Sequence, residues 1–433
     1  MEIDNPNTSR SDSVSDIDLQ ELLQRLWAIK TTKEPFCSIS ADECINVAEY
    51  ASEVFASQET LVEIPVPVTV CGDTHGQFMD LLRILTTGGV PPQTTYVFLG
   101  DYVDRGKNSI EVLIVLFIYK ILFPTQMYMI RGNHEEARVN STYGFLSECI
   151  NRYGFEVYTA FNNSFNNMPV AAIIGQRIFC CHGGIVKDLD SLQAIADIAR
   201  PVKQPNENAI MSQLTWSDPN RDSDGWTESA RGVGFMFGKT PLWQFLEKFD
   251  LDLLARAHEV VQDGYEFFGM RRCVTIFSAP KYCDQFDNAG GMMRVSSDLT
   301  CSFIIIRPIN SEFPLTRVEY HAFAVAPVEV DACGRDGSLT TSGPNWVSAV
   351  AEGRALPLHS SILHIEAKNL PTESKNLPIR AYTLGQQLFN VTRKKKKKSP
   401  PARQQASETK RQYLSWLSPS ENHAFAQTKN MTI

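Results

Sequence analysis

Tyr96-Val97-Phe98-Leu99-Gly100-Asp101-Tyr102-Val103-Asp104-Arg105-Gly106 sets the pattern for the chain. Four residues of strand-forming character run straight into a glycine and a carboxylate. Glycine lets the backbone turn sharply and pass close to a metal or phosphate. The same pattern recurs on both sides. Residues 61–70, rich in Val and interrupted by Pro65 and Pro67, lead into Gly72-Asp73-Thr74-His75-Gly76-Gln77. Residues 127–130 lead into Arg131-Gly132-Asn133-His134-Glu135, and residues 177–181 into His182-Gly183-Gly184. Residues 78–85 and 110–122 have helical character, so the order before residue 135 is β-α-β-α-β, the signature of an α/β layer. Side chains just after neighbouring strands converge at their carboxyl ends, where α/β folds place their sites.

The residue types in these turns point to one chemistry. Residues 1–308 contain four histidines, and all sit beside Asp, Asn, Glu or Gly: His75, His134, His182 and His258, the last in Arg256-Ala257-His258-Glu259. Hydrolysis of a phosphate monoester needs a nucleophile, charge neutralisation and a proton for the departing oxygen. A pair of metal ions about 3.5–4 Å apart supplies the first two. Holding such a pair takes a bridging carboxylate with N and O ligands suited to Mn, Fe or Zn. Asp101 is the expected bridge. Asp73 and His75 would complete one metal position, and Asn133, His182 and His258 the other. The Asp-x-His spacing is expected to place both side chains on one side of an extended segment. His134 follows Asn133 directly, points away from it, and is left as the general acid. Asp104 would orient its imidazole, and Arg105 would grip phosphate with a planar fork.

The totals bound what else the chain can be. It has 433 residues, 43% of them hydrophobic, enough for a sizeable core. The formal net charge is −8. Residues 309–433 carry 16 basic and 10 acidic residues, so residues 1–308 hold a net −14. That acidity argues against a nucleic-acid-binding domain. Ten cysteines without a Cys-x-x-Cys pair, after a polar N-terminus, fit reduced thiols and a cytoplasmic or nuclear setting. The longest apolar run, residues 110–124, carries Lys120 and is too short to span a bilayer. The expected organisation is a disordered N-terminus at 1–16, a catalytic domain at 17–308, and a poorly structured tail at 309–433 with a basic run at 393–398.

Residues 72–77, 100–106 and 131–135 resemble the three signature blocks of the phosphoprotein phosphatase family of serine/threonine phosphatases, its type-1 branch in particular. The resemblance extends from about Ile17 to Pro308. It takes in Leu214-Thr215-Trp216-Ser217-Asp218-Pro219 and Asp263-Gly264-Tyr265-Glu266-Phe267-Phe268. It implies an α/β (α+β) metallophosphoesterase fold, a central β-sandwich flanked by helices, with a dinuclear metal site at strand ends. It implies two divalent metal ions per subunit, Mn²⁺ foremost with Fe or Zn as alternatives. It also implies attack on phosphoserine or phosphothreonine by metal-bound hydroxide, without a phosphoenzyme. Arg231, Tyr282 and Tyr143 are implied as further phosphate or pocket residues beside Arg105 and Asn133, and Cys283 as part of a loop that toxin inhibitors contact. Regulatory or targeting subunits are implied to dock in a hydrophobic groove matched by Ile178, Leu253, Phe267, Val274, Leu299, Cys301 and Phe303. The chain departs from the family at Glu136 (Cys in type-1 enzymes), Glu259 (usually Gln), Lys281 (Asn), Asp284-Gln285 (Gly-Glu) and Thr300 (Met). No departure removes an expected ligand.

Three other readings compete. A thiol-based phosphatase needs a Cys with an Arg six residues on to close a phosphate loop, a pairing not expected among the ten cysteines. A non-catalytic scaffold would keep the fold and lose a ligand. A metallophosphoesterase acting on nucleotides would share the metal site.

Overall fold

The computed structural model describes residues 17–31 and 36–309, together with the backbone of 318–324 and 363–365. The segments 1–16 and 393–398 singled out above lie outside the described residues. Two mixed sheets form the centre. The first has six strands in the order β1 (Leu61–Ile64), β5 (Ala171–Ile174), β6 (Ile178–Cys181), β10 (Leu253–Arg256), β12 (Cys273–Ile276) and β11 (Tyr265–Phe268). The second runs β16 (Leu363–Ile365), β15 (Val318–Ala324), β14 (Thr300–Ile306), β13 (Gly290–Val295), β2 (Val68–Cys71), β3 (Tyr96–Phe98) and β4 (Met127–Met129). A small third sheet joins β7 (Asp218–Pro219), β9 (Phe235–Phe237) and β8 (Trp226–Glu228).

Strand periodicity explains the layering, because successive side chains point to opposite faces. Val97 and Leu99 face inward and meet Val70, Ile130, Ile174, Ile178, Ala255 and Ile276 in a core between the two sheets. Tyr96 and Phe98 face outward, into a second core with the helices Ala41–Ala56, Ser109–Leu122 and Phe155–Phe165. On the far face of the six-stranded sheet, Phe179, Cys181 and Leu254 pack against the helices Ala209–Trp216 and Lys239–Lys248. The result is a β-sandwich flanked by helices.

The β-α-β-α-β expectation matches this arrangement: β2, β3 and β4 are parallel neighbours joined by the helices Phe78–Gly88 and Ser109–Leu122. The apolar run at 110–124 is a core helix, with Val112 through Phe117 fully buried. Its Lys120 ammonium is buried too, and donates to the carbonyls of Pro124 and Met127. The Glu148 carboxylate accepts the amides of Ser109 and Ile110, which caps the helix N-terminus. No helix among the described residues is long and apolar enough to cross a membrane.

Two expectations need correction. Residues 61–70 are not one strand: β1 and β2 lie in different sheets, and the chain crosses between them through Pro65 and Pro67. Proline has no N–H for a ladder, so the strands end there. Pro308 is also not where the sheet stops, since β15 pairs with β14 over its whole length. The sign was present in Val318-Glu319-Tyr320-His321-Ala322-Phe323-Ala324, whose alternation suits a strand.

Candidate dinuclear metal centre

The carboxyl ends of β2, β3 and β4 from one sheet, and of β6 and β10 from the other, open onto the same edge of the sandwich. A lone parallel bridge between Asp73 and Phe277 ties the two sheets there. Asp73, His75, Asp101, Asn133, His134, His182 and His258 all lie there, and none is more than 9% exposed.

Asp101 occupies the centre. Its Oδ2 is 3.5 Å from His75 Nε2, 3.3 Å from His182 Nε2 and 3.9 Å from His134 Nε2. His182 Nε2 also lies 2.8 Å from Asn133 Oδ1 and 3.1 Å from His258 Nδ1. Asp73 Oδ2 is 3.7 Å from His75 Nε2, while its Oδ1 accepts the His258 amide. Two groups here can hold a metal ion: His75, Asp101 and His134, and Asp101, His182 and His258. Asp101 is common to both, as expected of a bridge. His134 rather than Asp73 falls in the first group: its Nε2 faces Asp101 at 3.9 Å, while its Nδ1 is held by Asp104 Oδ2 at 2.6 Å.

The donors fit a metal pair on their own geometry. His75 Nδ1 and His182 Nδ1 lie at 2.8 and 2.9 Å from the carbonyls of Val103 and Leu99. Donation there fixes the tautomer that presents a bare Nε2 lone pair to the cluster, the usual orientation of a ligating imidazole. Oxygen and imidazole donors of this kind suit Mn, Fe or Zn. The charges agree. Burial, then the neighbouring Asp101, pushes the Asp73 carboxyl up to about 7. Against its own burial, Asp101 is held well below the usual carboxylate range by His182, His134 and His75. Burial pulls His75 down to about 3, and burial with His182 pulls His258 down. His134 is raised despite burial, by Asp101 and by its hydrogen bond to Asp104.

Asn133 and His134 diverge as the sequence implied, Asn133 toward His182 and His134 toward Asp104 and Tyr143. The turn geometry was not foreseen. Residues 73–75 are not an extended segment, because His75 has φ 40°. Asp101, Asp104, Arg105 and His258 are also left-handed, at φ 56°, 73°, 67° and 70°. Such backbone is costly for residues with a Cβ, and it gathers where function over-determines the geometry. The glycines serve backbone packing as much as turning. A Cβ on Gly100 would meet Gly132 N at 2.4 Å, and one on Gly72 would meet the Ile276 carbonyl at 1.9 Å.

Arg105 lies with its guanidinium 4.1 Å from the centre of the Tyr143 ring, and Tyr143 is 44% exposed. Tyr282 is tilted over His75 at 5.1 Å. Arg231 donates to Asp218 Oδ2 at 2.6 Å. Cys283 is in the left-handed turn beside Tyr282, partly exposed. Of the groove residues, Ile178, Leu253, Val274, Cys301 and Phe303 are buried in the core between the sheets, while Phe267 and Leu299 are half-buried at its rim.

Three residues escaped the sequence reading. Glu135 accepts the amides of Asp101, Tyr102 and Gly132, locking the turns after β3 and β4 together. Asp218 and Arg256 form the second support: Arg256 is fully buried, and donates to Asp218 Oδ1 at 2.8 Å and Glu259 Oε2 at 2.7 Å. For Glu135 and Arg256 the available signal was their place beside the Arg-Gly-Asn-His and Ala-His blocks, and for Asp218 its place in the Leu-Thr-Trp-Ser-Asp-Pro block. The thiol alternative fails on geometry. The required spacing does occur, from Cys301 to Arg307, but Cys301 is buried in a β-strand and its thiol is pushed up to about 12 by burial. An extended strand cannot close a phosphate loop.

Comparison with known proteins agrees with this geometry. The calcineurin-like phosphoesterase family matches residues 66–262. A solved serine/threonine phosphatase from Saccharomyces cerevisiae, described as similar to human phosphatase PP5, is 33% identical, with a TM-score of 0.61 over 64% of this chain and 89% of that one. A cold-active protein-tyrosine phosphatase from a psychrophilic Shewanella species is 16% identical over 61% of this chain and 84% of that one, at a TM-score of 0.42, too low to carry weight. A Gly-Asp-x-His-Gly turn, a shared Asp101 and a sandwich this close to a serine/threonine phosphatase have one common explanation: the chain belongs to the phosphoprotein phosphatase family of metallophosphoesterases.

Proposed function

We propose that this phosphoesterase is a protein phosphatase specific for phosphoserine and phosphothreonine. The observation that carries the reading is the His134–Asp104 pair, a 2.6 Å hydrogen bond at the edge of the ligand cluster. Asp73, His75, Asp101, Asn133, His182 and His258 would hold the two metals. The metals would supply Lewis-acid stabilisation of phosphoryl oxygens and a lowered pKa for water. Every other part falls to the chain. Asp104 is itself anchored by the Phe145 amide at 2.9 Å. It holds His134 through its Nδ1–H and, with Asp101, favours the imidazolium, whose Nε2–H would pass to the departing serine or threonine oxygen. Arg105, laid flat on Tyr143, and Arg231, oriented by Asp218, would bind phosphate oxygens through planar forks. Tyr282 and Tyr143 would form the walls. Phe267 and Leu299 are the groove residues left accessible to a regulatory subunit.

The test is hydrolysis, with Mn²⁺ supplied and metal content measured, of a small aryl phosphate, a phosphoserine protein, a phosphotyrosine protein and a nucleotide. Turnover of the first two is expected. Preference for the nucleotide or for phosphotyrosine would replace the proposal, and inactivity at full metal occupancy would favour the scaffold.

A further inference from the structure

A cleft of about 1010 Å³ leads away from the phosphate side of the site. It begins at Gly76 and Arg105, follows one face of the helix Phe78–Gly88, and reaches Lys30 and Ile309 at its far end. The loop that holds Lys281 and Asp284 forms its other wall. Its charge runs against the rest of the domain. Residues 1–308 carry a net −14, yet this cleft is lined by Lys30, Arg83, Arg105, Lys107 and Lys281 against only Asp80 and Asp284. Both carboxylates are already used, Asp80 by Arg83 at 2.7 Å and Asp284 by Lys281 at 3.2 Å. Arg105 rests on Tyr143, and Lys30 on the Thr86 hydroxyl and the Trp27 ring at 4.4 Å. Among the described residues neither Lys30 nor Lys107 has a carboxylate partner, so both are free to pair with a ligand.

We propose that this cleft binds acidic side chains flanking the phosphorylated residue, so that the preferred substrates are phosphoserine or phosphothreonine segments rich in Asp and Glu. The proposal rests on the phosphatase reading for the phosphorylated residue, and on the cleft alone for its neighbours. Arg105 joins the two, standing at the phosphate end and in the cleft wall at once. Solvent-exposed ion pairs are each worth about 1.5- to 5-fold in affinity. Two lysines without carboxylate partners therefore predict about a 2- to 25-fold preference at low salt, decaying as ionic strength rises.

The experiment measures binding and turnover separately. Fluorescent peptides carry a difluoromethylene-phosphonate in place of the serine phosphate and acidic, neutral or basic flanks on either side. Their Kd is measured by anisotropy on the full chain loaded with Mn²⁺, for the wild type and for Lys30→Glu and Lys107→Glu. The acidic peptide is expected to bind about 2- to 25-fold tighter than the neutral one. Each substitution should shrink that gap, while aryl phosphate hydrolysis stays within twofold of wild type. Equal Kd values for the acidic and neutral peptides, or a preference that survives both substitutions, overturns the proposal. A wild type that binds the acidic peptide selectively but hydrolyses no aryl phosphate supports the cleft and counts against the phosphatase reading.

Discussion

Glu136 holds an unusual carboxylate, and replacing it with glutamine has a calculable consequence. The residue is 1% exposed, and neither carboxylate oxygen has a hydrogen-bond partner. Burial pushes its carboxyl from an ordinary 4.5 up to about 7, only partly countered by Arg131 and Arg138. The folded state therefore keeps a proton that the unfolded chain has already lost between pH 4.5 and about 7. Stability falls as pH rises through that window, and above it the charged carboxylate carries the whole penalty. A difference of about 2.5 pH units at 1.36 kcal/mol each is a penalty of about 3 kcal/mol at pH 8. Less than about 1 kcal/mol of it is present at pH 5. Glu136→Gln removes the charge and keeps the shape. Its amide stays unpartnered, a cost of about 1–3 kcal/mol that does not vary with pH. Urea unfolding of both proteins at pH 5 and pH 8, at equal metal loading, isolates the charge term. The stability of the variant relative to wild type should improve by about 2–3 kcal/mol between the two pH values. Parallel profiles, within about 0.5 kcal/mol, would refute the claim that this carboxylate is buried without compensation.

Two further predictions concern the site. Asp104→Asn keeps an oxygen for the Phe145 amide but turns an N–H toward His134 Nδ1, which disfavours the imidazolium; kcat on aryl phosphate should fall by about 10²–10⁴-fold with both metals retained, and near-normal turnover of the metal-loaded protein would remove His134 from the role of acid. Asp101→Ala removes the one carboxylate shared by the two groups, so metal content should drop to one ion or fewer per chain, whereas a variant retaining two would show that Asp101 does not bridge.

Much of this site was legible in the chain because its chemistry is local. Asp73 and His75, Asp101 and Asp104, Asn133 and His134 each lie within three residues of one another on a strand-ending turn. Residue type and spacing alone single them out as candidate ligands, acid and orienting carboxylate. The apolar run from Tyr96 to Leu99 likewise marked a short strand. The assembly of those turns was not local. Asp73 Oδ1 meets the His258 amide across 185 positions of sequence, and Glu135 closes on Asp101 and Tyr102 across more than 30. The first contact exists only because two sheets stack through a common apolar core, which brings the ends of β2, β3 and β4 against the ends of β6 and β10; the second exists because β3 and β4 pair side by side in one sheet.

Left-handed backbone at His75, Asp101, Asp104, Arg105 and His258 is equally invisible in one dimension. These residues do not prefer it, and the surrounding packing imposes it. The basic cleft shows the same division. Lys30, Lys107 and Lys281 are unremarkable in an acidic chain until the fold lines them along one channel. The sequence by itself determined which atoms can bind metal, move a proton and grip phosphate, because those are properties of side chains and their immediate neighbours. The tertiary structure decided which of them share a centre, which carboxylates are left without partners and what charge the neighbouring cleft presents, because each depends on distances set by packing between segments far apart in the chain.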